Sequence, residues 1–222
     1  MSGARILAVP EDPKAWPEAC LEATRVVRAG EVIVAATDTV YGVMADPFNP
    51  KAVERVFEAK KRRRDVALPV LVGSWAQADP LVESVPRQAA ALVEAFWPGP
   101  LTLVLRRKSG LTWDLGAAGV TVGVRMPRDP FLLELLAVCG PLAATSANLS
   151  GEPTPRDCGQ VAAALGDSVA LYLDGGAREE TTSTVVDLTG EYPKILRHGG
   201  IEAVDVFRVA GIGPLEPDGE PA

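Results

Sequence analysis

Glu31-Val-Ile-Val-Ala-Ala36 runs without a break into Thr37-Asp38-Thr39-Val40-Tyr41-Gly42. The first half is short, apolar and rich in β-branched residues, the pattern of a buried strand. If the second half stays extended, Thr37, Thr39 and Tyr41 share one side and Asp38 faces the other. Three hydroxyls at the exit of a strand suit a ligand crevice in an α/β sheet, and equally suit a hydrogen-bonded turn before the next element. Upstream, Trp16–Ala29 reads as a helix with Leu21, Val26 and Val27 inward, stopped by Gly30.

Downstream, Asn49-Pro50 opens a helix with a capping residue and a proline in its first turn. Val53, Val56, Phe57 and Lys60 follow at 3- and 4-residue intervals, so Lys60 continues the inward face. Lys60-Lys61-Arg62-Arg63-Arg64 concentrates positive charge in a chain of formal net charge -7. Such a run is either a solvated helix end or a pocket for a strong anion. Lys60 and Arg62 can reach one ligand only if the helix ends near Lys60 and the chain then extends.

Strands are expected at 68–72, 101–105, 120–124, 142–145, 169–173, 183–187 and 194–197, and helices at 86–96, 129–138, 156–165 and 203–209. Arg125 stands at the end of one strand, and Ser146-Ala147-Asn148 leaves another with polar groups at i and i+2. The late strands lack helical crossovers, so the fold class is α/β with α+β character: one domain over residues 1–210 with a mixed sheet. The acidic, proline-rich residues 211–222 read as a disordered tail.

The 222 residues are 47% hydrophobic and 23% charged, ordinary for a globular protein able to bury a core. No apolar run approaches a membrane span, and no signal-like block follows the N-terminus. Cys20, Cys139 and Cys158 are odd in number and far apart, which points to reduced thiols and a cytoplasmic location. His198 is the only histidine, excluding a multi-histidine zinc site, and no Gly-x-Ser-x-Gly elbow exists. The acidic total disfavours broad nucleic-acid binding but leaves room for a local anion site.

Thr37-Asp-Thr-Val-Tyr-Gly42, Lys60-x-Arg62, Phe96-Trp-Pro-Gly-Pro-Leu101-Thr102, Val124-Arg125-Met-Pro127, Ser146-Ala-Asn-Leu-Ser-Gly151, Ser183-Thr-Val-Val-Asp187 and Leu196-Arg197 occur in this order. Together they resemble the YrdC-domain family, the threonylcarbamoyl-adenylate synthases, over roughly Gly30 to Gly200. The resemblance implies a twisted sheet around a concave basic cavity, and the short form without a second large domain. It implies conversion of ATP, bicarbonate and L-threonine to threonylcarbamoyl-AMP and pyrophosphate, with partner transferases modifying adenosine 37 of tRNA. Lys60 and Arg62 would hold the triphosphate as the catalytic cations, and Ser146, Asn148 and Arg197 would complete the ATP site. Thr37, Arg125 and Ser183 would line the threonine pocket, with Arg125 on the substrate carboxylate and Tyr41 as a wall. Mg2+ would ride in on the ATP phosphates, with no dedicated metal site.

Such chemistry needs positioning and charge neutralisation more than a nucleophilic side chain. Asp38 and Asp187 read as turn and cap residues, and Lys61, Arg63 and Arg64 as solvated neighbours of the two phosphate ligands. Relatives usually carry glycine where Lys61 stands, and Arg63, Ala67, Ala36, Met44 and His198 also depart from the family pattern. Two rival functions are an RNA-binding module, for which weak tRNA binding is expected, and a related carbamoyl-adenylating enzyme with another acceptor.

Overall fold

A computed structural model describes residues 4–178 and 181–212. The expected tail lies, beyond Ile212, outside the described residues. The strands are β1 (Ile6–Ala8), β2 (Ile33–Ala35), β3 (Gly42–Ala45), β4 (Val70–Leu71), β5 (Leu101–Arg106), β6 (Thr121–Arg125), β7 (Leu142–Ser146), β8 (Leu171–Asp174), β9 (Thr184–Asp187) and β10 (Lys194–Arg197). The helices are α1 (Trp16–Arg28), α2 (Pro50–Ala59), α3 (Trp75–Ala78), α4 (Arg87–Phe96), α5 (Pro130–Cys139), α6 (Cys158–Leu165) and α7 (Ala203–Val209). All the strands join one sheet in the order β1-β8-β2-β3-β7-β4-β6-β5-β9-β10. The pairs β1–β8, β2–β8, β4–β6 and β5–β9 are parallel and the remaining neighbours antiparallel, the mixed sheet expected from the missing crossovers.

Strand alternation sends side chains to two different environments. Val34, Val43, Val70, Leu101, Leu103, Leu105, Val122, Val124 and Val186 meet α2, α4, α6 and α7 in one core. In the opposite phase, Ile33, Ala35, Met44, Leu71, Ala144, Leu171 and Leu173 meet α1 and α5 in a second core. Strands β5, β6, β9 and β10 contribute nothing to that second core. Their residues of the corresponding phase, including Thr102, Thr121, Arg125 and Val185, line a cavity instead. The cavity exists because two helices cover only part of one face of the sheet.

Several expectations change in detail. Leu21 is 50% exposed, and the buried stripe of α1 is Ala19, Cys20, Ala23, Thr24 and Val27. Small side chains on that stripe bring α1 close to α5, and Leu21 falls on the flank. Strands β1 and β3 were not anticipated: β1 is a three-residue edge, and β3 is a short buried run headed by glycine. The strand expected at 68–72 contracts to β4, where Pro69 has no amide hydrogen to add to the ladder. Helix α6 starts later than expected because Asp157 caps it, accepting from the Gln160 amide at 2.9 Å.

Helix α2 begins as the sequence indicates, with the Asn49 side chain accepting from the amides of Lys51 and Ala52. It ends at Ala59. The Arg62 amide donates to Phe57 O and the Lys61 amide to Glu58 O, both at 2.9 Å. This is the Schellman arrangement, and Lys61 holds its left-handed position at φ 49°. It is the single non-glycine residue at positive φ among those described. The geometry explains why glycine would be the expected occupant of this position, since a β-carbon there costs about 1–2 kcal/mol. Lys61→Gly should therefore raise stability by about 1 kcal/mol, read as a Tm increase of roughly 2–4 °C for a chain of this size. An unchanged or lower Tm would contradict the strained C-cap.

Candidate active site

The inward stripe of α2 delivers Lys60 to a site where only 2% of its surface remains exposed. Its Nζ donates to Ser146 O, to Asn148 O at 2.7 Å and to Asn148 Oδ1 at 3.0 Å. All three ammonium hydrogens thus have acceptors, none of them a carboxylate. The Lys60 carbonyl in turn accepts from the Ser150 amide at 2.9 Å. Asn148 is fully engaged as well: Oδ1 also accepts from Ser146 Oγ at 2.5 Å, and Nδ2 donates to Leu149 O and Glu152 O. The Ser146–Asn148 pair therefore closes a turn, and that turn is fastened to the end of α2.

Past the left-handed Lys61, the chain swings Arg62 to the other side of this pin. Arg62 donates from Nη1 to Thr145 Oγ1 at 2.9 Å and from Nη2 to Val66 O at 3.2 Å. It lines both the main cavity of about 590 Å3 and an adjoining trough of about 510 Å3 bounded by Lys60, Arg63, Ser146, Asn148 and Gly151. The rest of the basic run divides differently from expectation. Lys61 and Arg63 are exposed as anticipated. Arg64 is not a loose solvated neighbour: it pairs with Glu54 and Asp114 and lies 4.6 Å from the centre of the Phe57 ring. It clamps the segment that follows the helix.

Arg125, at the end of β6, is 6% exposed and lines the main cavity. Its Nε donates to Gly99 O at 3.0 Å, Nη1 to Thr39 Oγ1 at 3.0 Å and Nη2 to Asp38 Oδ1 at 2.7 Å. Asp38 is thus the counter-ion of Arg125 rather than a turn or cap residue, because the 37–41 segment bends and turns residues 38 and 39 both toward the guanidinium. Asp187 does fill the expected turn role, accepting from the amide and hydroxyl of Thr189. Thr37 and Thr39 lie together, their hydroxyls 2.9 Å apart. Tyr41 is a wall residue whose hydroxyl is committed to Gly176 O and Asp174 Oδ1. Ser183 Oγ contacts Thr102 Oγ1 at 2.9 Å and accepts from Arg197 Nη2 at 2.7 Å.

Arg62, Arg125 and Arg197 line one cavity with Asp65 as the only carboxylate in its lining among the described residues. Burial lowers the pKa of each, and Arg197 is depressed further by the charges of Arg125 and Arg62. They remain protonated, so the site is an anion well. Neither Arg62 nor Arg197 has an ion pair among the described residues. Burial raises the Cys20 and Cys158 thiols to about 11 and about 12, which leaves them inert. Among the described residues no group of three His, Cys, Asp or Glu could hold a metal ion, and no helix is long and apolar enough to cross a membrane.

Sequence reasoning gave Asp38 a turn or cap role and assigned no role to Thr102 or Thr145, which the structure bonds to Ser183 and Arg62. The one available signal was Asp38 itself, a charge two residues beyond the apolar run that ends at Ala36, where burial would require a partner. Burial first, then the nearby charge of Arg62, pushes the Lys60 ammonium down to about 8 from an ordinary 10.5. Between those values the unfolded chain still holds the proton that the folded chain has released, so stability rises with pH across the window. Below about 8 both states are protonated and the burial cost is fully present. Relative to Lys60→Met, the wild type should gain on the order of 2 kcal/mol in denaturant unfolding between about pH 8 and about pH 9.5. Parallel pH profiles for the two proteins would contradict the assignment.

Comparison with known proteins places this geometry. The Sua5, YciO and YrdC family, described as Telomere recombination, matches residues 25–199. A Mycobacterium tuberculosis protein provisionally named as a threonylcarbamoyl-AMP synthase is 46% identical over 202 residues, covering 90% of this chain and 93% of that one. The Bacillus subtilis threonylcarbamoyl-AMP synthase is 38% identical over 89% of this chain, which spans 57% of its length. Among solved structures, Pyrococcus abyssi Sua5 complexed with L-threonine superposes with a TM-score of 0.86 at 36% identity, over 93% of this chain and 61% of that one. Escherichia coli YciO gives 0.81 at 25% identity, over 93% of this chain and 100% of that one. The chain belongs to the Sua5/YciO/YrdC family.

Proposed function

We propose that the chain is an L-threonylcarbamoyladenylate synthase, a nucleotidyltransferase acting in tRNA N6-threonylcarbamoyladenosine formation. The observation that carries this reading is the pair of adjoining cavities sharing Arg62. One cavity is lined by three arginines and hydroxyls, the other by the basic run and the Ser146 turn. Two anionic reactants must meet and an anionic product must leave, and this family's chain supplies fixed cations at the junction.

The threonine amine and bicarbonate condense to a carbamate with loss of water. A carbamate oxygen then attacks the α-phosphorus of ATP, and the bond to pyrophosphate breaks. Arg125 takes the threonine carboxylate in the main cavity, beside Thr37 and Ser183. Arg62 stands between carbamate and triphosphate and grips phosphate oxygens through two donors. Lys60, its hydrogens engaged by Ser146 and Asn148, supplies charge beneath the trough and holds the turn in place. Arg197 adds positive potential from the Ser183 side. Magnesium arrives as the MgATP complex, because Asp65 alone cannot form a carboxylate cage. Transferase partners then consume the adenylate, and direct tRNA binding is weak because the arginines are recessed in a cavity.

Incubating the protein with ATP, magnesium, bicarbonate and each amino acid in turn should release pyrophosphate with L-threonine. Arg62→Ala should lower kcat/KM by about a hundredfold or more while leaving the fold intact. Release that does not depend on threonine would contradict the reading, and unchanged turnover in Arg62→Ala would contradict the site.

A further inference from the structure

The Asp38–Arg125 ion pair has features that a purely structural salt bridge does not need. Thr37, Thr39, Val40 and Tyr41 all line the main cavity, but Asp38 does not. Its carboxylate accepts from Arg125 Nη2 without lining that cavity, and both side chains are largely buried, at 13% exposure for Asp38 and 7% for Arg125. Three of the five guanidinium N–H groups are occupied: Nε by Gly99 O, one on Nη1 by Thr39 Oγ1 and one on Nη2 by Asp38 Oδ1. One hydrogen remains on each terminal nitrogen, the number that two oxygens of a carboxylate take in a bidentate pair. Thr39 is itself fastened to Thr37, so the contacts run in a chain from Thr37 through Thr39 and Arg125 to Asp38.

Without Asp38, only neutral acceptors would hold Arg125, and the charges of Arg62 and Arg197 act on the same cavity. A guanidinium so placed can rotate away from its productive plane, and a bidentate partner is sensitive to that plane. We infer that Asp38 is a positioning residue for the amino-acid substrate, acting through Arg125 to fix the fork that receives its carboxylate. It does not touch the substrate. This inference rests on the proposed function, which places the threonine carboxylate on Arg125.

Asp38→Asn preserves the shape and one acceptor but removes the charge, and Asp38→Gly removes the side chain. L-threonine binding by calorimetry, with threonine and ATP KM values from pyrophosphate release, separates positioning from general damage. In Asp38→Asn, threonine affinity should fall about tenfold or more, as when an orienting partner is lost, with ATP KM within about twofold of wild type. Added formate should restore threonine binding to Asp38→Gly and not improve the wild type. Wild-type threonine affinity in Asp38→Asn, or equal losses for threonine and ATP, would overturn the Asp38 assignment alone. Threonine binding by the wild type without pyrophosphate release would overturn the synthase reading alone. No threonine binding by the wild type would overturn both.

Discussion

A buried ammonium without a carboxylate partner governs this architecture. Lys60 caps α2, where the negative end of the helix dipole favours a cation, and its Nζ finds three oxygen acceptors on the Ser146–Asn148 turn. Hydrogen bonding satisfies the group but does not neutralise it. The charge therefore remains under the trough, which a salt bridge to Asp or Glu would have cancelled. The same contacts hold a helix and the end of β7 together across a long sequence separation, so the shape of the trough and its positive potential have one origin.

The chain leaves this pin through a left-handed residue, and that turn separates the roles within the basic run. Lys60 points inward, Arg62 faces both cavities and Arg64 folds back onto Phe57, Glu54 and Asp114. The main cavity has a different cause. Helices α1 and α5 cover one part of a sheet face, and beyond them the strands present Thr102, Thr121, Arg125 and Val185 to open space. The cavity floor is regular strand, which holds its polar groups more rigidly than loops would. Arg125 is held further by Asp38, Thr39 and Gly99 O.

Local periodicity made much of this legible. The 3- and 4-residue spacing in α2 predicted a buried Lys60, and for Lys60 and Arg62 to serve one ligand the helix had to end near Lys60; it ends at Ala59, with Lys60 as its cap. The turns at Gly30 and Asn49 and the helix at Ala203–Val209 follow directly from capping and composition. Pairings across the sheet were not legible in the same way. Asp38 and Arg125 are separated by 87 residues, and nothing in the spacing of either announces the other. The Ser146 and Asn148 side chains could serve a turn or a ligand, and the structure shows them bonded within the turn while both residues line the trough. Leu21 misled because a stripe of small residues, invisible to a simple hydrophobic count, forms the contact with α5.

The central claim is that Lys60 acts from beneath while Arg62 and Arg125 meet the reactants. A crystal structure with L-threonine and a non-hydrolysable ATP analogue tests it most directly. The account predicts the threonine carboxylate on Arg125, phosphate oxygens on Arg62, and Lys60 Nζ still bonded to Ser146 O and Asn148. Phosphates bound away from Arg62, or Lys60 withdrawn from the Ser146–Asn148 turn onto them, would contradict it.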